Sequence, residues 1–464
     1  MTQSQPHLLA DQLRADPRVA EAEKLLQEAL AEYAGKLQGC SAAKPELQGD
    51  YDSMLARLAA ARGGATYFPY LSSGLGNGPW VELADGSVKL DFITGIGVHG
   101  LGHSHPKLLT AGVRSALEDT VMQGNLQQHR PSVDMCERLV SMSQVQGASL
   151  AHCLLTTSGA MANENALKIA FHNRDGADRV LTLDNCFAGR TIAMAQLTDR
   201  PTYRQGLPTA LAVDYLPPAD PENSLESQER SLAALDKLLK RHPGKYAALW
   251  LELVAGEGGY YAGCTEYFEK LIARAKEDNV LIIFDEVQTF GRLSQPFAFQ
   301  HFKLDAHADI VTIGKISQLC ATLYQAELQP KGPLLSQTFT AASSSLEASL
   351  VVLDEMEATG CYGVDGQNMV RHEYFSEQLS ALEKKHPGKL SGPHGCGMMV
   401  ALTPGDGSAD AAKALVHALY EEGLMSFVAG GNPARVRFLP PPAVTTKEHI
   451  DAAIEIMDRV FATL

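Results

Sequence analysis

Between about residues 107 and 330, short apolar runs alternate with longer segments whose apolar positions recur every three or four residues. The runs HCLLTT (152–157), VLTL (180–183), ALWLEL (248–253), VLIIFD (280–285) and IVTI (310–313) have few polar interruptions. Strands this apolar are buried on both faces. The alternation therefore predicts βαβ crossovers and a mostly parallel sheet flanked by helices, an α/β fold. Ligands of such sheets bind beyond the carboxyl ends of the strands, so the polar residues that follow each run are the candidates for chemistry.

The flanking segments have a different texture. Helical patterns at roughly 8–38 and 46–62, with Leu25, Leu26, Leu30 and Tyr33 at three- and four-residue spacings, read as an N-terminal arm or cap. In GNGPWVELADGSVKLDF (76–92), Asp85-Gly86 separates two alternating segments and predicts a hairpin. After about 345, long helical stretches lead to strand-like GCGMMVALT (395–403) and RVRFL (435–439), with helices near 409–422 and 446–462. The expected organisation is an arm and strand segment (1–106) that joins a small α+β domain, a large domain (107–345), and a linking helix with the C-terminal small domain (346–464). The Pro- and Asp-containing stretch 214–224 reads as a surface loop.

Composition narrows the function. Of 464 residues, 39 are Lys or Arg and 54 Asp or Glu, a net charge of −15 that disfavours nucleic acid and anionic membrane surfaces. No apolar run approaches the roughly 18 residues of a bilayer span, and the first residues lack the basic and apolar regions of a secretory signal. The eight cysteines are scattered without a C-x-x-C pair, which fits a reduced, cytoplasmic chain. His99, His103 and His105 in HGLGHSH suggest a metal site, but no carboxylate or cysteine in that turn completes one, so they read as structural and no metal is expected.

The strand ends carry a set of groups that belong together. After the first run come Ser158, Gly159 and Ala160 at the start of a helical pattern, where backbone N–H groups either cradle a phosphate or simply form a helix cap. The second run is followed by Phe187 and Arg190, and in the third Glu252 follows ALWL, with Glu257 five residues on among glycines. The fourth ends in Asp285, with Val287 and Gln288 just after it. A carboxylate at the mouth of a buried strand needs a partner or a bound cation. The fifth leads to Lys315, whose amine suits Schiff-base chemistry where its site disfavours the charged form. Lysine, acid, aromatic ring and phosphate loop are together what pyridoxal 5′-phosphate requires.

In LDFITGIGVHGLGHSHP, TTSGAMANENALK, FDEVQTFGR, ADIVTIGK and RVRFLPPPAVT, in this order from about Gly74 to the C-terminus, the chain resembles the class III (ornithine and ω-amino acid) aminotransferases of the fold-type I pyridoxal-phosphate enzymes. The Lys-x-x-Gln-x-Cys wording at 315–320 is similar to lysine ε-aminotransferases. The resemblance implies that Lys315 holds the cofactor as a Schiff base and shuttles a proton. It also implies that Asp285 pairs with the pyridine nitrogen, that Gln288 contacts the ring hydroxyl, that Phe187 and Val287 sandwich the ring, and that Gly159 and Ala160 bind the phosphate. Ser158 and Glu252 join the cofactor site. Thr338, in QTFTAASSSLEA, would reach the phosphate of a neighbouring subunit in a homodimer. For substrate, the resemblance implies Arg437 for an α-carboxylate, Glu257 as its acidic screen, Arg190 for a distal carboxylate, and Trp80 in the segment lining the substrate entrance.

The implied activity is transfer of an amino group from an ω-amino or diamino acid to 2-oxoglutarate by ping-pong half-reactions. A decarboxylase, an aminomutase or a non-catalytic cofactor-binding protein on the same fold is the alternative. The chain departs from the family pattern at Ala188 and Leu253, lacks one glycine after Gln288-Thr289, and replaces the glycine-rich run after the lysine with Ile316-Ser317-Gln318-Leu319-Cys320.

Overall fold

The computed structural model describes residues 8–119, 124, 126–221 and 223–463. Its central sheet has seven strands: β1 (Leu150–Thr156), β2 (Arg179–Leu183), β3 (Ala212–Leu216), β4 (Tyr246–Leu251), β5 (Leu281–Glu286), β6 (Ile310–Ile313) and β7 (Cys320–Gln325). Their spatial order is β1-β7-β6-β5-β4-β2-β3. Strands β3, β2, β4, β5 and β6 pair in parallel, whereas β7 runs antiparallel to both β6 and β1. Every residue of β4 and β6 is buried, as the continuous apolar runs require.

All five runs are strands of this sheet, and two strands had no run to mark them. Strand β3 corrects the reading of 214–224 as loop, because Asp214, Tyr215 and Leu216 pair in register with Leu181, Thr182 and Leu183. It is the edge strand, and four of its five residues are only half-buried, so its polar residues carry no penalty there.

The N-terminal arm has three helices, Leu9–Arg14, Pro17–Ala34 and Pro45–Arg62. Asp16 caps the second by accepting from the Arg18 N–H at 2.9 Å, and Pro17 takes its first position, which splits the first expected helix in two. The hairpin is present as Trp80–Leu83 and Val88–Asp91. Leu424–Met425 adds to it in parallel, so the segment before the large sheet and the segment after it share one sheet. A second antiparallel sheet, Leu390–Cys396, Met399–Pro404, Ala434–Phe438 and Phe427–Gly430, follows the long helices Ser343–Ala358 and Gln367–Lys385. Among the described residues no helix is long and apolar enough to cross a membrane, and all eight cysteines are free.

One loop joins the hairpin to the large sheet under strain. Thr94, Gly95, Ile96 and Gly97 all have left-handed φ values (50°, 65°, 63° and 81°), a conformation that costs free energy at the two β-branched residues, threonine and isoleucine. The buried Asp91 carboxylate holds the loop. Its Oδ1 accepts from the N–H groups of Ile93 (3.0 Å) and Thr94 (2.7 Å), and its Oδ2 lies 2.9 Å from His103 Nε2. Burial pushes this carboxyl up, but His103 and the two N–H donors prevail and hold it below the ordinary aspartate range. Asp91 is thus the carboxylate that the histidine turn itself does not contain, and it makes His103 a loop anchor.

Replacing Asp91 with alanine would leave two buried N–H groups and an imidazole unpaired. The expected cost is about 2–4 kcal/mol, read as a lower midpoint of chemical denaturation. Asp91→Asn keeps one acceptor and should lose measurably less. Equal losses for the two variants would show that the oxygen acceptors do not hold the loop.

Candidate active site

A cavity of about 360 Å³ opens beyond the carboxyl ends of the central strands, a volume in the range of small-molecule sites. Its floor is Asp285 at the end of β5, 5% exposed. Asp285 Oδ1 accepts from the Val287 N–H at 2.9 Å and Oδ2 from Asn163 Nδ2 at 2.7 Å. Asn163, on the helix Gly159–Asn173 (α1), is itself fixed: it donates to the Ala188 carbonyl at 2.9 Å and accepts from Thr312 Oγ1 at 2.7 Å. Burial pushes the Asp285 carboxyl up to about 6 against these donors and the Lys315 charge, so at neutral pH it stays ionised.

Glu252 follows β4 and accepts from two backbone N–H groups, Phe187 at 2.9 Å and Gly256 at 3.0 Å. Burial, with Asp285 nearby, pushes it up to about 8. Its hydrogen bonds tie the aromatic Phe187 and the glycine loop 256–259 to one strand end. Lys315 follows β6 in a left-handed conformation (φ 57°) and lines the cavity. Burial brings its amine down to about 8, although the carboxylates of Glu257, Asp285 and Glu252 favour the charged form.

At the cradle, Ser158 caps α1 by accepting from the Met161 N–H at 3.3 Å, while Gly159 and Ala160 lie on the cavity wall. A Cβ on Gly159 would stand 2.7 Å from Val287 Cγ1, so only glycine lets the helix start come this close to the wall. Val287, Phe187 and Gln288 also line the cavity.

The far side is an ion pair. Arg437 is fully buried on Ala434–Phe438, and its Nη2 lies 2.5 Å from Glu257 Oε1, with Nη1 3.3 Å from Gln288 Oε1 and from the Gly256 carbonyl. Burial raises the Glu257 pKa, but the Arg437 and Lys315 charges prevail and hold it below the ordinary glutamate range. Arg190, by contrast, is exposed at the mouth, and among the described residues it makes no hydrogen bond or ion pair; its guanidinium carbon lies 3.8 Å from the Tyr203 ring centroid.

Twelve of the fourteen residues singled out in the sequence thus lie in or against one cavity. The other two do not. Thr338 is exposed and outside the cavity of its own chain. Trp80 is buried beside His449, their rings 5.8 Å apart, in a separate cavity. Sequence reasoning missed Asn163, Val98 and Cys320 on the wall, and Phe427, whose ring lies 5.6 Å from the Arg437 guanidinium and 4.6 Å from Tyr67. Asn163 had a signal, since it sits one turn into the helix after Ser158; the others are brought in by strand and loop pairing alone.

A family model described as aminotransferase class-III matches residues 65–461. The chain is 28% identical over 407 residues to the acetylornithine aminotransferase of Methanocaldococcus jannaschii, covering 84% of this chain and 93% of that protein. It is 31% identical, with the same coverage, to acetylornithine aminotransferase 2 of Bordetella pertussis. Among solved structures, ornithine aminotransferase from Toxoplasma gondii ME49 aligns with a TM-score of 0.75 at 22% identity, over 90% of this chain and 99% of that one. Lysine aminotransferase from M. tuberculosis aligns with a TM-score of 0.74 at 23% identity, over 83% and 93% of the two chains.

The lowered Lys315 pKa has a direct readout. At pH 7 an amine of pKa about 8 is roughly one-tenth unprotonated, against about 0.03% for an ordinary lysine. In cofactor-free protein, an aldehyde with cyanoborohydride should therefore label Lys315 ahead of the surface lysines, at a rate that rises from pH 7 and levels off above about 8. Peptide mapping that found Lys315 labelled no faster than its exposed counterparts would contradict the assignment.

Proposed function

The chain belongs to the class III aminotransferases, which are pyridoxal-phosphate-dependent transaminases, and on that premise we propose that it transfers the amino group of an ω-amino or diamino acid to 2-oxoglutarate by ping-pong. Lysine, ornithine, acetylornithine and 4-aminobutyrate are the donor types. The residues of the cavity fit the cofactor: a helix start open to close approach at Gly159, an ionised acid at Asp285 and a depressed amine at Lys315. When bound, pyridoxal 5′-phosphate supplies an aldehyde and an electron-withdrawing pyridinium ring.

Each residue then has a task. Lys315, whose free amine burial brings down to about 8, would hold the cofactor covalently and, once the substrate amine has displaced it, would take a proton from the substrate carbon and return it. Asp285, held by Val287 and Asn163, keeps the ring nitrogen protonated. The α1 start at Ser158, Gly159 and Ala160 holds the phosphate. Phe187 and Val287 would enclose the ring and Gln288 would contact its hydroxyl, while Glu252 keeps Phe187 in place. In a homodimer, the exposed Thr338 reaches the phosphate of the neighbouring subunit's site. The eight unpaired cysteines fit a cytoplasmic location.

The observation that carries the substrate assignment is the contrast between two arginines. Arg437 is engaged by Glu257, so a donor that presents an ω-amine there meets a neutral pair. Arg190 is uncommitted and takes the donor's single carboxylate. A dicarboxylic acceptor offers a second carboxylate that displaces Glu257 and gains Arg437, a grip suited to a planar two-donor fork.

Near-visible absorbance of the holoenzyme tests the whole scheme. The cofactor band should be lost with one of the donors and restored by 2-oxoglutarate. Arg437→Ala should slow the 2-oxoglutarate half-reaction about 10- to 100-fold and the donor half-reaction far less. Glu257→Ala should instead weaken discrimination, with glutamate-type α-amino donors gaining relative to ω-amino donors. An acceptor half-reaction indifferent to Arg437→Ala would remove the carboxylate role.

A further inference from the structure

The uncommitted state of Arg190 has a physical cause in a residue outside the cavity. The short turn Pro201–Tyr203 places the Tyr203 ring under the Arg190 guanidinium, 3.8 Å from centroid to carbon. The same ring stands edge-on to Phe187, with centroids 6.2 Å apart and planes at 89°. Tyr203 is half-buried whereas Arg190 is exposed, so the ring is the more constrained member of the pair.

Stacking on an aromatic ring occupies only the face of a guanidinium. Its five N–H donors all lie on the edge, in the plane, and stay available to a ligand. An exposed arginine held by its face also loses rotamer freedom before ligand arrives, which lowers the ordering cost of binding. A salt bridge would fix the side chain equally well but would use the donors, which is the situation of Arg437 with Glu257.

The turn is anchored for this purpose. Arg204 Nη1 donates to the carbonyls of Gln196 and Thr198, both at 3.3 Å, and to Tyr215 Oη at 3.0 Å. Arg200 Nη1 donates to Asn185 Oδ1 and Nη2 to the Glu257 carbonyl, both at 3.3 Å. The segment that carries Tyr203 is therefore fixed to strand β3 on one side and to the backbone of the Arg437 screen on the other.

We infer that Tyr203 is a specificity-determining positioning residue, which holds Arg190 by its face and presents the guanidinium edge to the distal carboxylate of a dicarboxylic ligand. This rests on the reading of the site as one that takes a dicarboxylic acceptor.

The test is a double-mutant cycle on equilibrium binding of glutarate, a non-reacting dicarboxylate, to the holoenzyme by calorimetry. Tyr203→Leu should weaken glutarate about threefold to tenfold, as expected for an exposed cation–π contact with some loss of pre-organisation. Tyr203→Phe should stay within about twofold of wild type, because the ring is kept. In an Arg190→Leu background, Tyr203→Leu should cause no further loss. Butyrate, whose one carboxylate falls to Arg190 while Glu257 occupies Arg437, should lose affinity by a similar factor with Tyr203→Leu. The proposal is overturned if Tyr203→Leu binds glutarate like wild type, if Phe is as poor as Leu, or if the Leu effect persists without Arg190. A wild-type enzyme that bound glutarate, gave the expected cycle and yet failed to transaminate 2-oxoglutarate would sink the acceptor assignment and leave the Tyr203 role standing.

Discussion

Charge balance in a cavity largely shielded from water is the constraint on which this structure turns. Lys315, Asp285, Glu252, Glu257 and Arg437 all lose hydration there, and an uncompensated ion in such a place costs several kcal/mol. The balance is met by pairing and by proton uptake. Arg437 is neutralised by Glu257 at 2.5 Å. Lys315, at about 8, faces Asp285, at about 6, and Glu252, pushed up to about 8, holds its proton at neutral pH. Two cations then oppose two anions and one neutral acid. The same desolvation that threatens stability keeps the lysine close to its neutral, nucleophilic form, so the cost of burial and the source of reactivity are one effect.

Meeting that constraint requires residues from distant parts of the chain to converge without mobile linkers. Asp285 pairs with Thr312 across the neighbouring parallel strands β5 and β6, and Lys315 follows two residues beyond the end of β6, so sheet geometry brings both to the same edge. Arg437 arrives from another sheet, on Ala434–Phe438, and its partner Glu257 comes from a glycine-containing loop pinned by Glu252 through the Gly256 N–H. Val98 on the cavity wall follows the strained loop at 94–97, which is held by Asp91 and by Arg292 Nη2 on the Gly97 carbonyl at 2.6 Å, and Gln318 Nε2 donates to the Val98 carbonyl itself at 2.8 Å. Gln318 stands among the residues that replace the family's glycines after the lysine. It supplies a side-chain bond across the cavity wall that a glycine does not have.

What could be read from the sequence follows from what burial does to composition. The five apolar runs announced themselves because strands covered on both faces tolerate few polar residues, and the residues that ended them were the cavity residues for the same reason. Strand β3 escaped notice because an edge strand, half-buried, alternates weakly and contains Asp214 and Tyr215. Strand β7 follows so soon after Lys315 that its residues read as part of the lysine loop. Asp91 gave no sign of its partner, His103, because their contact is made by the fold and not by spacing. Trp80 shows the converse. A large aromatic residue in a segment associated with substrate entry is used here for packing against His449, since the hairpin turns it away from the cavity.

The two arginines illustrate how one side-chain type serves two kinetic purposes through the part of the guanidinium that its neighbour uses. An edge-on partner such as Glu257 uses the donors that a ligand would need, so under the proposed function Arg437 takes a carboxylate only by exchange, a like charge replacing the one displaced. A face-on partner such as Tyr203 does not compete, so Arg190 offers its donors to every incoming carboxylate. Under the proposed function, a site that takes a donor with one carboxylate and then an acceptor with two needs one anchor of each kind. Two exposed arginines would hold the acceptor equally well but would bind α-amino acids in the donor's place, and two screened ones would hold neither substrate long enough to react. The stacking ring and the screening carboxylate are therefore complementary parts of a single discrimination, and both are tied to the segment 198–204, through Tyr203 itself and through Arg200 on the Glu257 carbonyl.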